Sequence, residues 1–244
     1  MHQDFPPPGI VVLTGAGISK EIGIDTFRDD GGLWSRVNLE EVATIEAWRR
    51  DKKKVLDFYN STRTMFRGAN IRPNAAHAAL AHLEQKYEGE VTIVTQNIDP
   101  LHEMAGSKNV LHMHGRDGEI RCMQCGTVNQ SDADLTPNTV CPNCKAVGEL
   151  RPNIVWFGEM PMHMAEINEA IERCGLFMSA GTSGEVYPAA GFVLQVRKSR
   201  PRAHTVELNL EPTDNQSLFK ERIYGPATAI VPPYVERILK QGWN

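Results

Sequence analysis

The sequence predicts an α/β fold: a Rossmann-like parallel sheet with a small zinc-ribbon domain inserted in it. Three observations predict it. Short β-branched apolar runs alternate with amphipathic helical patterns, the rhythm of a doubly wound sheet. The first run ends in Gly15-Ala-Gly17, as a strand does when it feeds a phosphate-binding turn. Four cysteines form two hooks, Cys122-Met-Gln-Cys125 and Cys141-Pro-Asn-Cys144, with fifteen residues between them. Two residues between paired thiolates let both sulfurs reach one tetrahedral ion. A loop of this length brings the second pair round to close the shell on one structural Zn²⁺.

Taken in order, Gly9–Thr14 is the first buried strand. Helical patterns follow from Lys53 to Phe66 and, behind Pro73, from Asn74 to Lys86; Val91–Thr95 is the next strand. The segment from Glu119 to Leu150 breaks the rhythm, being short, cysteine-bearing and rich in Asn, Thr and Pro. It is read as a zinc-binding domain, residues 119–150, between two parts of one nucleotide-binding domain, residues 1–118 and 151–244. Beyond it come a helix from Met164 to Cys174, a strand Leu176–Ala180 and a helix Ala189–Lys198. A strand Thr205–Leu210 and a last helix from Pro233 to Gln241 complete the pattern. The fifth cysteine, Cys174, is expected on its helix as a buried, inert thiol.

Composition narrows the function. The 244 residues include 26 Lys and Arg against 30 Asp and Glu, a net charge of −4, which argues against a nucleic-acid surface. The densest basic stretch, Arg49-Arg50-Asp51-Lys52-Lys53-Lys54, reads as a solvated helix start. No apolar run approaches the roughly 18 to 20 residues of a membrane span. The N-terminal residues lack the basic and apolar regions of an export signal. With thiols reduced on a metal, the expected home is the cytoplasm.

In sheets of this kind ligands sit beyond the carboxyl ends of the strands. The four runs end in Gly15-Ala-Gly17, Gln96-Asn-Ile-Asp99, Gly181-Thr-Ser183 and Asn209-Leu-Glu211, which therefore converge on one crevice. This is a nucleotide site without the usual dehydrogenase layout. Lys20 occupies the third small position of the dinucleotide fingerprint, and no strand-ending acid lies about twenty residues on. The acid suited to a ribose is Glu211, after a much later strand.

Here a resemblance becomes specific. Gly15-Ala-Gly-Ile-Ser19, Thr26-Phe-Arg28, Gly32-Leu-Trp34, Thr95-Gln-Asn-Ile-Asp99, His112-Met-His-Gly115, both cysteine hooks, Trp156-Phe-Gly-Glu159, Gly181-Thr-Ser183 and Asn209-Leu-Glu211 resemble the sirtuins in identity and order. The likeness runs from about Ile10 to Val231 and is greatest to bacterial sirtuins of the desuccinylase–demalonylase class. It implies an NAD-dependent protein-lysine deacylase acting on acyl-lysine proteins or peptides. The alternatives are a mono-ADP-ribosyltransferase and a catalytically silent, NAD-sensing zinc scaffold.

The resemblance also implies roles. Deacylation with NAD needs one neutral imidazole to deprotonate a ribose hydroxyl, and the implied base is His114. Asn97, Ile98 and Asp99 surround the nicotinamide and Gln96 touches its ribose. Gly15, Ala16, Gly17, Thr182, Ser183 and Gly181 serve phosphate and ribose. Phe27, Arg28 and Trp34 belong to the cofactor loop, while Asn209, Leu210, Glu211 and Ala227 hold the adenosine end. Cys122, Cys125, Cys141 and Cys144 hold zinc. Phe157, Gly158 and Glu159 receive the substrate as an added strand.

For the acyl pocket, Ala43 is the small residue of the desuccinylase class and predicts a roomy site. Tyr59 matches the tyrosine of that class's Tyr-x-x-Arg pair, which binds an acidic acyl carboxylate. The arginine position is Thr62, however. Arg63 lies one step further, about 100° round the helix. The loss of a bidentate arginine removes the strongest contact for an acid, so acetyl is expected to be favoured over succinyl and malonyl. Ile22 and Asp25 are further departures, in the cofactor loop.

Overall fold

The computed structural model describes residues 7–22, 38–68 and 71–243. Phe27, Arg28, Trp34 and Asp25 lie outside the described residues. The chain runs β1 (Gly9–Thr14), α1 (Ile45–Arg50), α2 (Lys52–Phe66), α3 (Ala75–Lys86), β2 (Val91–Thr95), α4 (Leu101–Met104) and β3 (Val110–His112). It continues with β4 (Gly115–Cys122), β5 (Val128–Gln130), β6 (Leu150–Ile154), α5 (Met164–Glu172), β7 (Cys174–Ala180), α6 (Phe192–Ser199), β8 (His204–Asn209), β9 (Glu221–Tyr224) and α7 (Ala227–Gln241). Among the described residues no helix is long and apolar enough to cross a membrane.

Six strands form a parallel sheet in the order β3-β2-β1-β7-β8-β9. Alternation along β1 divides its side chains between two layers. Ile10 and Val12 join the core with Leu80 of α3 and Val235 of α7. Val11 and Leu13 join the core with Ile167 of α5 and Val196 of α6. Both faces are covered, which is why β1 and β2 read as unbroken apolar runs. The chain winds from β1 to β3 in one direction and from β7 to β9 in the other. The switch point, where such sheets open a crevice, falls between β1 and β7.

The other strands form an antiparallel sheet, β5-β4-β6. Its strands extend four residues beyond each end of the 119–150 segment. It shares a core with the α1–α2 region: Ala43, Ala47, Trp48, Leu56 and Tyr59 pack with Ile120, Leu135, Leu150 and Trp156.

Besides shifts of one to three residues at α2, α6 and β8, two boundaries differ from expectation for a physical reason. Cys174 opens β7 instead of closing a helix, because α5 stops at Glu172 and the apolar run Leu176–Met178 extends backward through it. The thiol is fully buried, and burial pushes it up to about 12. Helix α7 begins at Ala227, six residues before the expected start, and contains Pro232 and Pro233. An interior proline costs about 3 kcal/mol. Burying Val231, Val235 and Ile238 on one stripe returns about 1.5–3 kcal/mol for each side chain, so the stripe prevails over the break.

Candidate functional site

At the switch point the turn after β1 crosses the turn after β7 backbone to backbone. Gly17 N–H donates to Gly181 O at 2.9 Å and Gly15 N–H to Ala180 O at 3.3 Å. A Cβ on Gly17 would lie 2.8 Å from Gly181 Cα, and one on Gly15 2.8 Å from Gly181 O. Gly181 itself has φ +64°, a left-handed conformation open to glycine. The sequence reading gave Gly15 and Gly17 to a phosphate; the fold requires them for this crossing as well. Ala16 starts a short 3₁₀ turn, Ala16–Ile18.

Around this crossing, Thr182 Oγ1 lies 2.9 Å from Ser179 Oγ, and Ser183 Oγ accepts from Glu185 N–H at 3.4 Å. Asn209 Nδ2 donates to Thr182 O at 3.0 Å and Glu211 O at 3.1 Å, stapling the ends of β7 and β8. Leu210 and Glu211 are exposed beyond this staple, and Ala227 is buried at the first turn of α7. The strand ends expected to converge do meet along one edge of the sheet.

The end of β2 is held against β1. Gln96 N–H donates to Thr14 O at 2.9 Å. Asn97 Nδ2 reaches Gly15 O at 3.2 Å and Ser19 Oγ at 3.3 Å, and Ser19 Oγ donates to Asp99 Oδ2 at 3.4 Å. Burial raises the Asp99 carboxyl to about 6, against the Leu101 N–H, His112 and Ser19, which favour the charged form. Ile98 O accepts from Asp117 N–H at 2.8 Å. Beneath lie His77 and His102, ring centroids 5.0 Å apart, held neutral by burial at about 4 and about 3.

His114 follows β3, with its Nδ1 3.1 Å from Gln96 O. A carbonyl only accepts, so Nδ1 carries the hydrogen and Nε2 carries the lone pair, able to accept a proton. Burial lowers its pKa against this bond, so the ring is neutral at pH 7. Its own carbonyl accepts from Val155 N–H at 2.8 Å, which ties the residue to both sheets. Gly115 explains the motif: its φ is +84°, and a Cβ would fall 2.0 Å from Asn153 O.

The four hook cysteines gather with all sulfurs within 4.8 Å of one another. Cys122 and Cys144 Sγ are 3.7 Å apart, and Cys125 and Cys141 Sγ 3.9 Å. These separations are far from the roughly 2.05 Å of a disulfide. A tetrahedron with Zn–S of about 2.3 Å has sulfurs roughly 3.8 Å apart, so the cluster fits a structural zinc ion. The hooks are built alike: Gly126 N–H bonds Cys122 O at 2.9 Å and Lys145 N–H bonds Cys141 O at 3.0 Å. Four thiolates close the shell and leave no place for a substrate.

Between the two sheets lies the wall expected to receive acyl-lysine. Phe157 N–H donates to Ala43 O at 3.0 Å, beside the bridge Thr44–Phe157. Phe157 is 60% exposed and Gly158 turns away with φ +85°. Trp156 stood in the quoted motif without a role of its own, and its Nε1–H donates to Tyr59 OH at 2.9 Å. Arg151 was missed. Its guanidinium is fully buried, 3.2 Å from the centroid of the Trp156 ring. It grips Glu159 at 2.8 and 2.9 Å, while Glu159 also accepts from Trp156 N–H at 2.8 Å. The Glu159 carboxylate is therefore occupied by Arg151 of β6 and its own loop, with Arg121 of β4 a further partner at 3.2 Å.

Thr62 is 1% exposed, and its hydroxyl donates to Phe58 O at 3.1 Å. Arg63 is 2% exposed, with Nε 3.4 Å from Asp117 Oδ1 and its guanidinium on Ala133 O. The cation next to Thr62 is engaged by the second sheet.

A family model described as the Sir2 family matches residues 15–188. A protein from Vibrio vulnificus (strain YJ016), called an NAD-dependent protein deacylase, is 50% identical over 237 residues, covering 97% of this chain and 96% of its own. Among solved structures, a Sir2 homologue mutant complexed with ADP-ribose superposes with TM-score 0.85 at 34% identity, over 97% of this chain and 95% of that one. A Sir2 homologue bound to a myristoylated histone peptide gives 0.70 at 32% identity, over 94% and 90%. The matched residues take in the glycine crossing, His114 and all four hook cysteines. The chain belongs to the Sir2 family.

Proposed function

We propose that the protein is a cytoplasmic NAD-dependent protein-lysine deacylase that transfers the acyl group to ADP-ribose, releases nicotinamide, and prefers neutral acyl groups. Relatives at 50% identity carry the deacylase name. NAD supplies a ribose carbon whose bond to nicotinamide breaks. One observation carries the assignment of roles: Gln96 O holds His114 Nδ1, and Nε2 meets no partner among the described residues.

His114 then takes the ribose proton. Gln96, Asn97, Ile98 and Asp99 line the nicotinamide side; Gly15, Ala16, Gly17, Gly181, Thr182 and Ser183 face the phosphates; Asn209, Leu210, Glu211 and Ala227 face the adenosine. Phe27, Arg28 and Trp34 complete the cofactor loop. In this reading residues 119–150 are the zinc domain and the rest is the NAD-binding domain. Ala43, Tyr59, Thr62, Phe157, Gly158 and Glu159 serve the substrate.

The acyl preference rests on where the cations are. Arg63 is held by Asp117 and Ala133, and Arg151 by Glu159. An acidic acyl group would therefore meet the Tyr59 hydroxyl without a free arginine from either position. Burying a carboxylate without a charged partner costs several kcal/mol, whereas a tenfold preference needs only about 1.4 kcal/mol.

The test is purified protein with NAD and acetyl-, butyryl-, succinyl- and malonyl-lysine peptides, read by mass spectrometry. Neutral acyl groups should be favoured by at least about tenfold in kcat/KM, and Thr62→Arg should narrow or reverse the ratio. A succinyl preference that disappears in Arg63→Ala would overturn this reading. Nicotinamide release without acyl loss would overturn the deacylase itself.

A further inference from the structure

His112 and His114 flank Met113, whose side chain is fully buried. Strand β3 ends at His112 and a turn carries the chain through Met113 and His114, yet both imidazoles reach the same segment. They grip consecutive carbonyls of one turn: His114 Nδ1 is 3.1 Å from Gln96 O, and His112 Nδ1 is 3.0 Å from Asn97 O. The rings differ at the other nitrogen. That of His112 lies 2.9 Å from Glu103 Oε1, which also lies 3.4 Å from Arg116. Burial raises the Glu103 carboxyl, but the His112 bond and charge, together with Arg116, outweigh it and hold the pKa below the ordinary value. Both ring nitrogens of His112 therefore face oxygen partners, a carbonyl on one side and a carboxyl group on the other. At 6% exposure, the ring is poorly placed to exchange protons with a substrate.

What His112 controls is the turn. The N–H of Asn97 bonds Thr95 Oγ1 at 3.1 Å and its amide reaches Gly15 O and Ser19 Oγ. Its carbonyl is fixed by His112. Asn97 is thus held at its N–H, its amide and its carbonyl, while Ile98 O and the Asp99 carboxylate fix the rest of the turn.

We propose that His112, clamped by Glu103, is a positioning residue that orients the Asn97–Asp99 turn for cleavage of the nicotinamide bond. This rests on the reading that Asn97 and Asp99 face the nicotinamide.

The test separates bond cleavage from the later proton transfer. Isotopically labelled nicotinamide is added with NAD and an acetyl-lysine peptide; incorporation of label into NAD is measured beside deacylation. Asparagine places its amide near imidazole Nδ1, and glutamine places its amide near Nε2. His112→Gln therefore keeps the Glu103 contact and loses the carbonyl, whereas His112→Asn does the reverse. The expected result is that His112→Gln lowers exchange and deacylation together by about 10- to 100-fold, the scale on which small misplacements act. His112→Asn should fall between it and the unaltered protein. Glu103→Gln, which keeps shape and removes charge, should lower exchange at an unchanged melting temperature, and it serves if His112→Gln fails to fold.

Equal losses in His112→Asn and His112→Gln would reduce the ring to packing and overturn the proposal. So would undiminished exchange in Glu103→Gln. Asn97→Ala separates the two levels of argument. Undiminished exchange there would remove the nicotinamide reading and this inference with it. Lost exchange in Asn97→Ala with full exchange in His112→Gln would defeat the inference alone.

Discussion

At the ends of β1 and β2, His77, His102 and Asp99 are buried and His114 half-buried with few counter-ions, and desolvation drives each toward its neutral form. Along β6 and α2, the buried cations Arg151 and Arg63 each meet a carboxylate, Glu159 and Asp117. The difference separates two uses of buried polarity. In the crevice the groups are held by hydrogen bonds to neutral partners, Asn74, Ser19, Thr14, Leu101 N–H and Gln96 O, and their pKa values are displaced, as is common at functional sites. In the wall between the sheets, charge is matched by charge, and removing one partner would leave the other buried and unpaired. Substitutions in the crevice should therefore change chemistry, and those beside the ribbon should change folding.

The largest expected effect lies in the ribbon. Cys141 is fully buried, and a structural zinc site contributes roughly 10–16 kcal/mol in small metal-folded peptides. Cys141→Ser should lower zinc content from one ion per chain and reduce the folded fraction, measured by elemental analysis and circular dichroism. An unaltered chain that contains no zinc, or that keeps its melting temperature after stringent chelation, would contradict the closed tetrathiolate. In the crevice the expectation is reversed. His114→Ala should reduce deacylation by about 10²- to 10⁴-fold, the scale of a lost general base. Its melting temperature and NAD affinity should stay near those of the unaltered protein. Near-normal turnover would remove His114 from its role, and a large fall in stability would erase the distinction between the regions.

The two regions also differed in how far the sequence disclosed them. Strands β1 and β2 were placed to the residue, because both their faces are buried and the apolar run ends where burial ends. The edge strands β3 and β9 were missed: Val110–His112 and Glu221–Tyr224 are three and four residues long and partly polar, too short for a period to emerge. The cysteine spacing announced the ribbon, but no local pattern announced that Trp48 and Tyr59 would share its core. That depends on contacts about a hundred residues apart in the chain. The contact of Arg151 with Trp156 escaped for the same reason, since a guanidinium stacked under an indole leaves no periodic trace. His112 was visible as a second histidine, but its two acceptors, Asn97 O and Glu103, come from elements only the fold brings together.

The smallest effect separates charge from shape in the crevice. The Asp99 carboxyl titrates near 3.8 in an ordinary environment and about 6 here. Between about pH 4 and 6 the folded chain holds a proton that the unfolded chain has released. Stability from this group is thus full below pH 4 and is lost as pH rises to about 6, on the order of 3 kcal/mol in all. Above pH 6 the protein carries a buried carboxylate whose charge opposes folding and, in the proposed reading, suits a cationic nicotinamide ring. Asp99→Asn should flatten that part of the stability–pH curve, so its advantage over the unaltered protein grows from pH 4 to pH 6 and then stays constant. NAD affinity of the unaltered protein should weaken as pH falls through about 6, while that of the variant, already weaker, should not change over the same range. Chemical denaturation and NAD titration at four pH values measure both. Parallel stability curves would show that Asp99 does not hold a raised pKa, and the contrast with the paired charges of the wall would then rest on the histidines alone.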